Sequence, residues 1–393
     1  KEEDTLDGWF DSGSTHFAAM KKDQGFWPAT MYLEGLDQYR GWFQSSLLTA
    51  VGAFGEGAPF KECVTHGWTV DGEGRAMHKS LGNGVDPADI FNENGADILR
   101  LWAASADYHA DVRCSKAIFQ QLSQNYLKFR NTCKFMLDNL VDFDPAHLTK
   151  AEDMPVLDRW LITKLNELIE KVEQSYNDYE FHIITHAVND FCVTTLSSFY
   201  LDIVKDRLYC EAADSAERRS AQTALYLTLS TLAKLFAPIL AFTCDEIWLA
   251  MPHTAEDDAR NVVLNDMNKP FTAYALDAET MARWEHIIEV RTAVNGALEE
   301  ARAAKVIGKS LEADVHLTVP EGDVFLADEN PAALADLFIV SKVELTVGGE
   351  LAVKVENAAG TKCPRCWKHS TAANAEGLCP RCAEVMRSFP DLA

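Results

Sequence analysis

Four cysteines near the end of the sequence have the spacing of a metal site. They form two Cys-Pro-Arg-Cys turns, at Cys363, Cys366, Cys379 and Cys382. Each turn lets two sulfurs converge on one ion, and two turns complete a tetrahedron of thiolates around Zn²⁺. A pair of redox motifs or an iron–sulfur site are the alternatives, but no thioredoxin-like pattern surrounds either turn. Four protein ligands leave no open position, so we expect one structural Zn²⁺ per chain.

The residues around these cysteines have the composition of an RNA-binding surface. Residues 361–393 carry five basic against three acidic side chains, whereas the whole chain has a formal net charge of −24. Local cations beside an aromatic ring suit phosphate contacts and base stacking. The candidates for these contacts are Arg365, Trp367, Lys368 and Arg381. The alternative is a solvated knuckle in which Trp367 only packs on the metal site.

A glycine-rich segment in the first quarter of the chain could bind phosphate. It spans residues 71–84, and glycines flank Lys79 and Ser80 on both sides. Such a loop can open and close, and an ammonium with a neighbouring hydroxyl can meet phosphate oxygens. The segment does not have the Walker sequence Gly-x4-Gly-Lys-Ser/Thr. The Gly-Lys-Ser at 308–310 matches the end of that sequence better, but Ala303 stands where its first glycine belongs. Taken alone, the segment could equally be a simple turn.

The composition is that of an ordinary globular protein. The chain has 393 residues, of which 47% are hydrophobic and 24% charged, and this length predicts roughly two to four domains. The net charge of −24 excludes a grip on nucleic acid through bulk positive charge. The apolar stretch over 235–244 is about half the length that spans a bilayer, so no membrane segment is predicted. Six further cysteines occur singly, which predicts small buried residues and a reducing, cytoplasmic setting.

Hydrophobic periodicity divides the chain into regions. Residues 1–113 mix short apolar runs with glycine-rich turns, which is typical of an α/β domain. Residues 114–252 carry apolar residues at three- and four-residue spacing, which predicts a bundle of four or five helices. A polar segment over 253–282 predicts a linker, 283–357 a small α+β module, and 358–393 a zinc-binding tail.

Several motifs occur in an order that resembles a known family. Trp-Phe-Asp-Ser-Gly begins at Trp9, Glu-Gly-Leu-Asp-Gln-Tyr-Arg-Gly-Trp-Phe begins at Glu34, and Gly-Ala-Asp-Ile-Leu-Arg-Leu-Trp begins at Gly95. Together with the glycine-flanked lysine and the terminal cysteines, they make the whole chain resemble the bacterial isoleucyl-tRNA synthetases, which are class I aminoacyl-tRNA synthetases. This resemblance implies a multidomain protein. It would contain the second half of a Rossmann-like nucleotide-binding domain, then a helical anticodon-binding bundle, a small α+β module and a zinc knuckle.

The resemblance assigns roles within the glycine-rich segment. The residues that occupy the family's Lys-Met-Ser-Lys-Ser loop are Met77, His78, Lys79 and Ser80. The second lysine of that loop, here Lys79, contacts ATP phosphates, so Lys79 and Ser80 are the catalytic candidates. A cation fixed where charge develops stabilises the transition state. The chain departs from the family at Ala76, where a lysine is expected, and at His78, where a serine is expected, which predicts weaker stabilisation of pyrophosphate.

The resemblance also implies a binding site for the aminoacyl-adenylate. Glu34 matches the carboxylate that holds the adenylate through the ammonium of isoleucine. Asp37 and Gln38 match neighbouring polar groups, and His66 with Gly67 matches the strand end against which adenosine packs. The implied ligands are isoleucine, ATP with Mg²⁺, and tRNA(Ile), and the implied protein is a cytoplasmic monomer.

The second class I signature, His-x-Gly-His, does not occur in the sequence. We therefore expect the C-terminal portion of a longer synthetase, without the N-terminal half of the catalytic domain or the editing domain. By itself this portion should not activate isoleucine. The alternative functions are a stand-alone tRNA-binding module without ligase chemistry and a zinc-ribbon nucleic-acid adaptor. An upstream extension of the gene through a His-x-Gly-His segment would favour the ligase.

Overall fold

The computed structural model describes residues 3–323, 325–326 and 329–388, with the side chain of Lys79 excepted. In this part of the chain the backbone forms two compact units, and each contains helices and short sheets. No helix in the described part combines the length and the apolar content that crossing a bilayer requires.

The first unit, residues 1–124 with 180–182, is built on parallel strand pairs. Its strands are β1 (Ala29–Gly35), β2 (Phe60–His66), β3 (Thr69–Val70) and β4 (Val112–Arg113). Its helices are α1 (Gly8–Gly13), α2 (Trp42–Leu48), α3 (Pro87–Asn94) and α4 (Ala96–Ser105), and α5 (Lys116–Asp138) begins in it. Shorter π-helical or 3-10 turns cover His16–Lys21, Leu36–Arg40, Thr49–Ala53 and Lys79–Leu81. Strand β1 pairs with β2, and β3 with β4; helix α2 lies in the crossover that a parallel β1–β2 pair needs.

An aromatic cluster packs the crossover onto the first strand pair. The ring of Tyr32 lies 4.7 Å from those of Trp42 and Phe60 and 5.5 Å from that of Phe43. Its hydroxyl and that of Ser46 are 2.8 Å apart, so the buried polar atom is satisfied. The cluster fixes α2 against β1 and leaves the carboxyl ends of the strands open for other side chains.

The second unit, residues 125–179 with 183–393, starts with a helical bundle. After α5 come α6 (Val156–Asn177), α7 (Phe181–Asp190), α8 (Leu201–Cys210), α9 (Ala216–Phe236) and α10 (Ala241–Ala250), and the π-helical stretch Phe191–Tyr200 joins α7 to α8. Helix α9 is central, since every residue over 220–233 is buried. Because Phe181–Cys210 is one continuous helical segment, the described chain over 114–252 contains five long helices, within the four or five that were predicted. The separation of α9 from α10 lies at Pro238, which has no N–H to continue a helix.

A buried carboxylate ties the bundle together. Asp158 of α6 accepts hydrogen bonds from Tyr200 at 2.8 Å and Ser220 at 2.5 Å, and Arg207 Nη1 lies 3.3 Å away. Burial raises the pKa of Asp158, and Arg207, Ser220 and Tyr200 oppose the shift. A buried charge is tolerated only with such partners. The interaction sets α6, α8 and α9 relative to one another.

The remaining elements complete the second unit. Two 3-10 turns, Val262–Leu264 and Thr272–Tyr274, lie in the segment expected to be a linker. After α11 (Ala278–Ala303) come the strands β5 (Ala313–Val319), β6 (Lys342–Val347) and β7 (Ala352–Asn357), with α12 (Pro331–Phe338) between β5 and β6. The sheet order is β6-β5-β7, with β5 parallel to β6 and antiparallel to β7. The tail has β8 (Thr361–Lys362), β9 (His369–Ser370) and α13 (Pro380–Arg387).

The single cysteines only partly match the expectation that they are buried. Cys63, on β2, is exposed, because strand β2 has little covering its outer face in the described chain. The other five are buried: Cys114, Cys133, Cys192, Cys210 and Cys244. The finer domain boundaries at 113, 252, 282 and 357 stay predictions.

Candidate functional site

Two of the expected adenylate-binding residues meet at the carboxyl ends of β1 and β2. The parallel register sets Glu34 opposite Thr65 and Gly35 opposite His66. Glu34 Oε1 and His66 Nε2 are 3.9 Å apart, and 47% and 42% of the two side chains are exposed. Ligands of open parallel sheets bind outside this end of the strands. The fold therefore places an accessible carboxylate and an imidazole side by side where a ligand can reach them.

Asp37 and Gln38 follow β1 in a 3-10 turn and differ in exposure. Gln38 is buried; its Nε2 donates to Asp37 Oδ2 at 3.0 Å, and its Oε1 accepts from the Trp42 N–H at 3.2 Å. Asp37 is exposed, and its Oδ1 folds back to within 2.8 Å of where a Cβ on Gly35 would lie. Asp37 therefore joins Glu34 at the open edge, whereas Gln38 supports the turn from below.

Gly67 permits a close approach of two chain segments beside His66. Its N–H donates to the Tyr108 carbonyl at 2.8 Å, and a Cβ at this position would lie 2.4 Å from the Ala110 carbonyl oxygen. Only glycine fits such a contact. The carbonyl of Gly67 accepts from His66 Nδ1 at 2.8 Å. Because a carbonyl can only accept, Nδ1 carries the proton and Nε2 is the nitrogen that faces Glu34.

Asp71 organises the start of the glycine-rich loop. Its Oδ1 accepts from the backbone N–H groups of Glu73 at 3.0 Å and Arg75 at 2.9 Å. Its Oδ2 accepts from Arg75 Nε and from Asn83 Nδ2, both at 2.9 Å. The hydrogen bond from the Arg75 backbone N–H is the largest of the effects that hold the pKa of Asp71 far below its usual range. The loop is thus folded around a carboxylate and does not hang freely between its glycines.

The expected phosphate-binding residues lie in the second half of this loop. The backbone turns over Lys79–Leu81, and the side chain of Lys79 lies outside the part of the chain that the structure describes. Met77 is half-buried, and both His78 and Ser80 are exposed. Their roles toward ATP stay predictions.

The sequence analysis placed Asp71 and Asn83 within the glycine-rich segment but predicted a role for neither. An aspartate directly before a glycine-rich turn often accepts the turn's own N–H groups, so Asp71 carried a usable signal. No sequence signal pointed to Asn83, because its hydrogen bond to Asp71 forms only when the loop folds back on itself.

The four paired cysteines form one compact cluster. Their Sγ atoms all lie within 4.8 Å of one another, and Cys366 Sγ is 3.7 Å from Cys379 Sγ. Sulfurs bound tetrahedrally at about 2.3 Å from one Zn²⁺ are separated by about 3.8 Å. The first turn follows β8, where the Cys363 N–H donates to the Lys368 carbonyl at 2.9 Å, and Cys379 begins α13. The donor set and its spacing fit a structural Zn²⁺ held by all four thiolates.

Backbone donors favour a thiolate at the first position of this cluster. Burial opposes ionisation of Cys363, but N–H groups of Cys366, Cys379 and Arg365 outweigh it and lower the pKa to about 6. Burial raises the pKa of Cys366 and Cys382. Thiols of this kind lose their protons when they bind Zn²⁺, so metal binding and the fold of the tail are coupled.

Two of the expected RNA-binding cations are paired within the protein. Arg381 Nη2 donates to Asp206 Oδ1 at 2.8 Å, and its Nη1 donates to Glu211 Oε1 at 2.9 Å. Lys368 forms an ion pair with Asp336 of α12. These contacts join the tail to the bundle and to the α+β module. The two cations are therefore paired with carboxylates, although the composition had made them candidates for contacts with RNA phosphates.

The other two RNA candidates differ from each other in exposure. Arg365 donates to the carbonyls of Tyr209 and Cys210, where α8 ends. Trp367 is 56% exposed, and the ammonium of Lys309 lies 5.8 Å from its ring centroid. Trp367 is therefore the member of the four that presents an open surface.

Three family models match successive parts of the chain. "tRNA synthetases class I (I, L, M and V)" matches residues 1–115, "Anticodon-binding domain of tRNA ligase" matches 158–317, and "Zinc finger found in FPG and IleRS" matches 360–385. The first range contains the Glu34–His66 edge and the glycine-rich loop, and the last contains the four cysteines.

Two solved structures share the fold. LeuRS from Agrobacterium radiobacter K84, in a ternary complex with tRNA and LeuAMS, matches with a TM-score of 0.56 at 16% identity, over 91% of this chain and 37% of that one. Methionyl-tRNA synthetase from Mycobacterium tuberculosis, in complex with methionyl-adenylate, matches with a TM-score of 0.52 at 19% identity, over 61% of this chain and 49% of that one.

Curated relatives match the sequence almost from end to end. The isoleucine–tRNA ligases of Moorella thermoacetica and Syntrophotalea carbinolica are each 47% identical to it, over 99% and 98% of this chain. The match covers 44% and 43% of those proteins, so the chain spans less than half the length of these relatives. With this identity, and with synthetase, anticodon-binding and zinc-finger models in succession, the chain belongs to the isoleucine–tRNA ligase family.

Proposed function

We propose that the chain is the ATP-loop and tRNA-binding part of an isoleucine–tRNA ligase. In that reaction the carboxylate of isoleucine attacks the α-phosphorus of ATP and pyrophosphate leaves. A terminal ribose hydroxyl of tRNA(Ile) then takes the isoleucyl group, and AMP leaves. The observation that carries the proposal is the accessible Glu34–His66 pair at the carboxyl edge of a parallel strand pair.

Each residue at this edge has a chemical task in the proposal. The carboxylate of Glu34 binds the ammonium of isoleucine, with Asp37 beside it. His66 and Gly67 offer a flat surface for adenosine, because Gly67 has no side chain to cover the strand end. Lys79 and Ser80 of the loop contact the ATP phosphates, with Met77 and His78 shaping the loop, and Mg²⁺ neutralises phosphate charge.

The second unit supplies the tRNA contacts in the proposal. The bundle binds the anticodon arm, and Trp367 stacks on a base while Lys309 lies close to its ring. Arg365 and Arg381 set the tail on the bundle and Lys368 sets it on the α+β module, which leaves little free charge for phosphate. The protein works as a monomer in the cytoplasm.

Binding assays on the 393-residue chain test this proposal. A non-hydrolysable isoleucyl-adenylate analogue should bind in calorimetry, and Glu34→Gln should weaken it about tenfold or more, because an ion pair with the ammonium is lost. Glu217→Gln, at an exposed position on α9, is the control. tRNA(Ile) should bind more tightly than tRNA(Val) in a gel-shift assay.

The same preparation separates the alternatives. Preference for tRNA(Ile) without analogue binding would indicate a stand-alone tRNA-binding module. Equal binding of all tRNAs and no analogue binding would contradict the proposal. Isoleucine-dependent ATP–pyrophosphate exchange, measured alongside, should be absent for this chain alone.

A further inference from the structure

Asn83, near the end of the glycine-rich loop, contacts the beginning and the middle of that loop through its side chain. Asn83 Nδ2 donates to Asp71 Oδ2 at 2.9 Å and to the Ala76 carbonyl at 3.1 Å. Asn83 Oδ1 accepts from the His78 N–H at 2.9 Å. Three of the hydrogen bonds that an amide side chain can make are therefore used, and all three are within the loop.

The first arm of the loop is anchored independently of Asn83. Ala76 forms an antiparallel bridge with Val70 of β3, and the Asp71 N–H donates to the Arg75 carbonyl at 2.9 Å. The Asp71 carboxylate holds Arg75 from the side as well. Residues 71–76 thus form a closed turn on the end of β3.

The second arm depends on Asn83. Residues 77–82 follow the bridge, and within them the Leu81 N–H donates to the His78 carbonyl at 3.0 Å. Gly82 has a φ of 63°, which lets the chain turn back towards Asp71. The described bonds that tie this six-residue segment back to the first arm are those of Asn83.

We propose that Asp71 and Asn83 are positioning residues that hold residues 77–82 in one conformation, and that the segment opens when the Asn83 bonds break. The bond to Asp71 has an ionised acceptor, which makes it stronger than a bond between neutral groups. The loop is therefore latched at its base, and its glycines only allow the path of the chain. We call the hydrogen bonds of Asn83 to Asp71, Ala76 and His78 the latch. Any effect of the latch on ATP binding rests on the proposed function, whereas the latch itself does not.

Hydrogen exchange measured by mass spectrometry on the 393-residue chain tests the latch. Asn83→Ala removes all three bonds, and amides of residues 77–83 should exchange about tenfold faster. Asn83→Asp keeps an acceptor for the His78 N–H but loses both donors and faces the Asp71 carboxylate, so it should open the segment at least as far. Asn92→Ala, at an exposed position on α3, is the matched control and should change nothing.

A double variant separates positioning from general stability. In Asp71→Asn/Asn83→Asp, the new amide at 71 can still accept the N–H groups of Glu73 and Arg75, and it can donate to the new carboxylate at 83. Exchange over 77–83 should fall clearly below that of Asn83→Asp alone, because the contact between positions 71 and 83 is restored while the bond to the Ala76 carbonyl stays lost. The thermal midpoint of the whole chain should stay within about one degree in the three single variants, because the substituted side chains at 83 and 92 are not buried.

The outcomes are distinct. Unchanged exchange in Asn83→Ala, parent-like exchange in Asn83→Asp, or no recovery in the double variant would each overturn the latch. In a second arm, Mg-ATP should protect residues 77–83 in the parent protein. If Mg-ATP does not protect these residues but the variants behave as expected, the proposed function is contradicted and the latch is not. The two failures can therefore be told apart.

Discussion

Arg381 Nη2 donates to Asp206 Oδ1 at 2.8 Å, which joins the zinc-binding tail to helix α8 of the bundle. Burial opposes ionisation of Asp206, but the hydrogen bond and charge of Arg381, together with Lys368 and Cys210, outweigh it and lower the pKa of this carboxyl group. The same pairing raises the pKa of Arg381. The guanidinium is therefore part of the internal packing of the second unit, with Glu211 as its other partner.

Loss of this ion pair should destabilise the tail. Arg381→Ala leaves Asp206 and Glu211 without their shared partner, and we expect a loss of about 1–3 kcal/mol in unfolding free energy. Thermal unfolding followed by circular dichroism measures the effect. Arg387→Ala, on the exposed side of the same helix, is the control and should cost less than about 0.5 kcal/mol. Equal effects of the two variants would contradict the docking role.

Metal removal should unfold the tail before the bundle. The segment over 360–388 has little apolar core of its own, so its fold depends on the four thiolates and their ion. Metal analysis should give one Zn²⁺ per chain, and Cys382→Ser should lower this content to well below one. Cys63→Ser, at an exposed cysteine of the first unit, should retain the metal. Full protection of 360–388 from hydrogen exchange after chelation would refute the prediction.

A methyl group at Gly67 should disturb the carboxyl ends of β1 and β2, where Glu34 and His66 meet. Its Cβ would lie 2.4 Å from the Ala110 carbonyl oxygen, so one of the two segments must move. We expect Gly67→Ala to cost about 2 kcal/mol or more in stability and to weaken binding of the adenylate analogue. Gly52→Ala, where a Cβ meets nothing within 4 Å, should be neutral or slightly stabilising. Similar thermal midpoints for the two variants would show that the contact is not close.

The bidentate pair between Asp142 and Arg218 should give a pH-dependent stability. The two bonds are 2.6 and 2.9 Å long, and the hydrogen bond from Arg218 is the largest cause that lowers the pKa of Asp142 to about 2. Because the folded pKa lies below the ordinary value of about 3.9, this stability is present above about pH 4 and is lost as the pH falls towards 2. Asp142 is 43% exposed, so solvent screening limits the gain to about 1 kcal/mol.

The measurement for Asp142 compares the protein with Asp142→Asn by chemical denaturation between pH 6 and pH 3. The difference in unfolding free energy should be constant above about pH 5 and shrink below about pH 4. Asp214→Asn, at an exposed position in the loop before α9, should show no such trend. A difference that grows on acidification would reverse the sign and reject the assignment.

A cation at position 76 should strengthen binding of ATP. Ala76 is exposed and borders the segment that carries Lys79, at the place where the family has a lysine. We expect Ala76→Lys to lower the Kd for Mg-ATP about three- to tenfold, and the gain should shrink at high salt because it is a screened charge interaction. Calorimetry at two salt concentrations checks this. An unchanged Kd would show that the missing cation has no effect on nucleotide binding.

The local spacing of the cysteines was enough to predict the metal site, whereas the roles of Glu34 and His66 toward an adenylate were implied by the family resemblance and stay predictions. The cysteines at 363, 366, 379 and 382 lie in two short turns, so their spacing alone restricts where the sulfurs can meet. His66 ends a pattern that is typical of a strand, but only the structure showed that Glu34 ends the neighbouring parallel strand and lies beside it. The amphipathic spacing likewise predicted the helices of the bundle.

Only the tertiary structure decided which charges are free. Asp206 and Arg381 are 175 residues apart in the sequence, so counting charges within the tail could not reveal that its arginine has an acidic partner on another helix. Likewise, only the tertiary structure showed that position 67 must be glycine, because the carbonyl of Ala110 lies where a Cβ would be. Periodicity and composition show which side chains each segment contains. The contribution of a charge or a methyl group to stability depends on the neighbour that lies beside it in the folded protein.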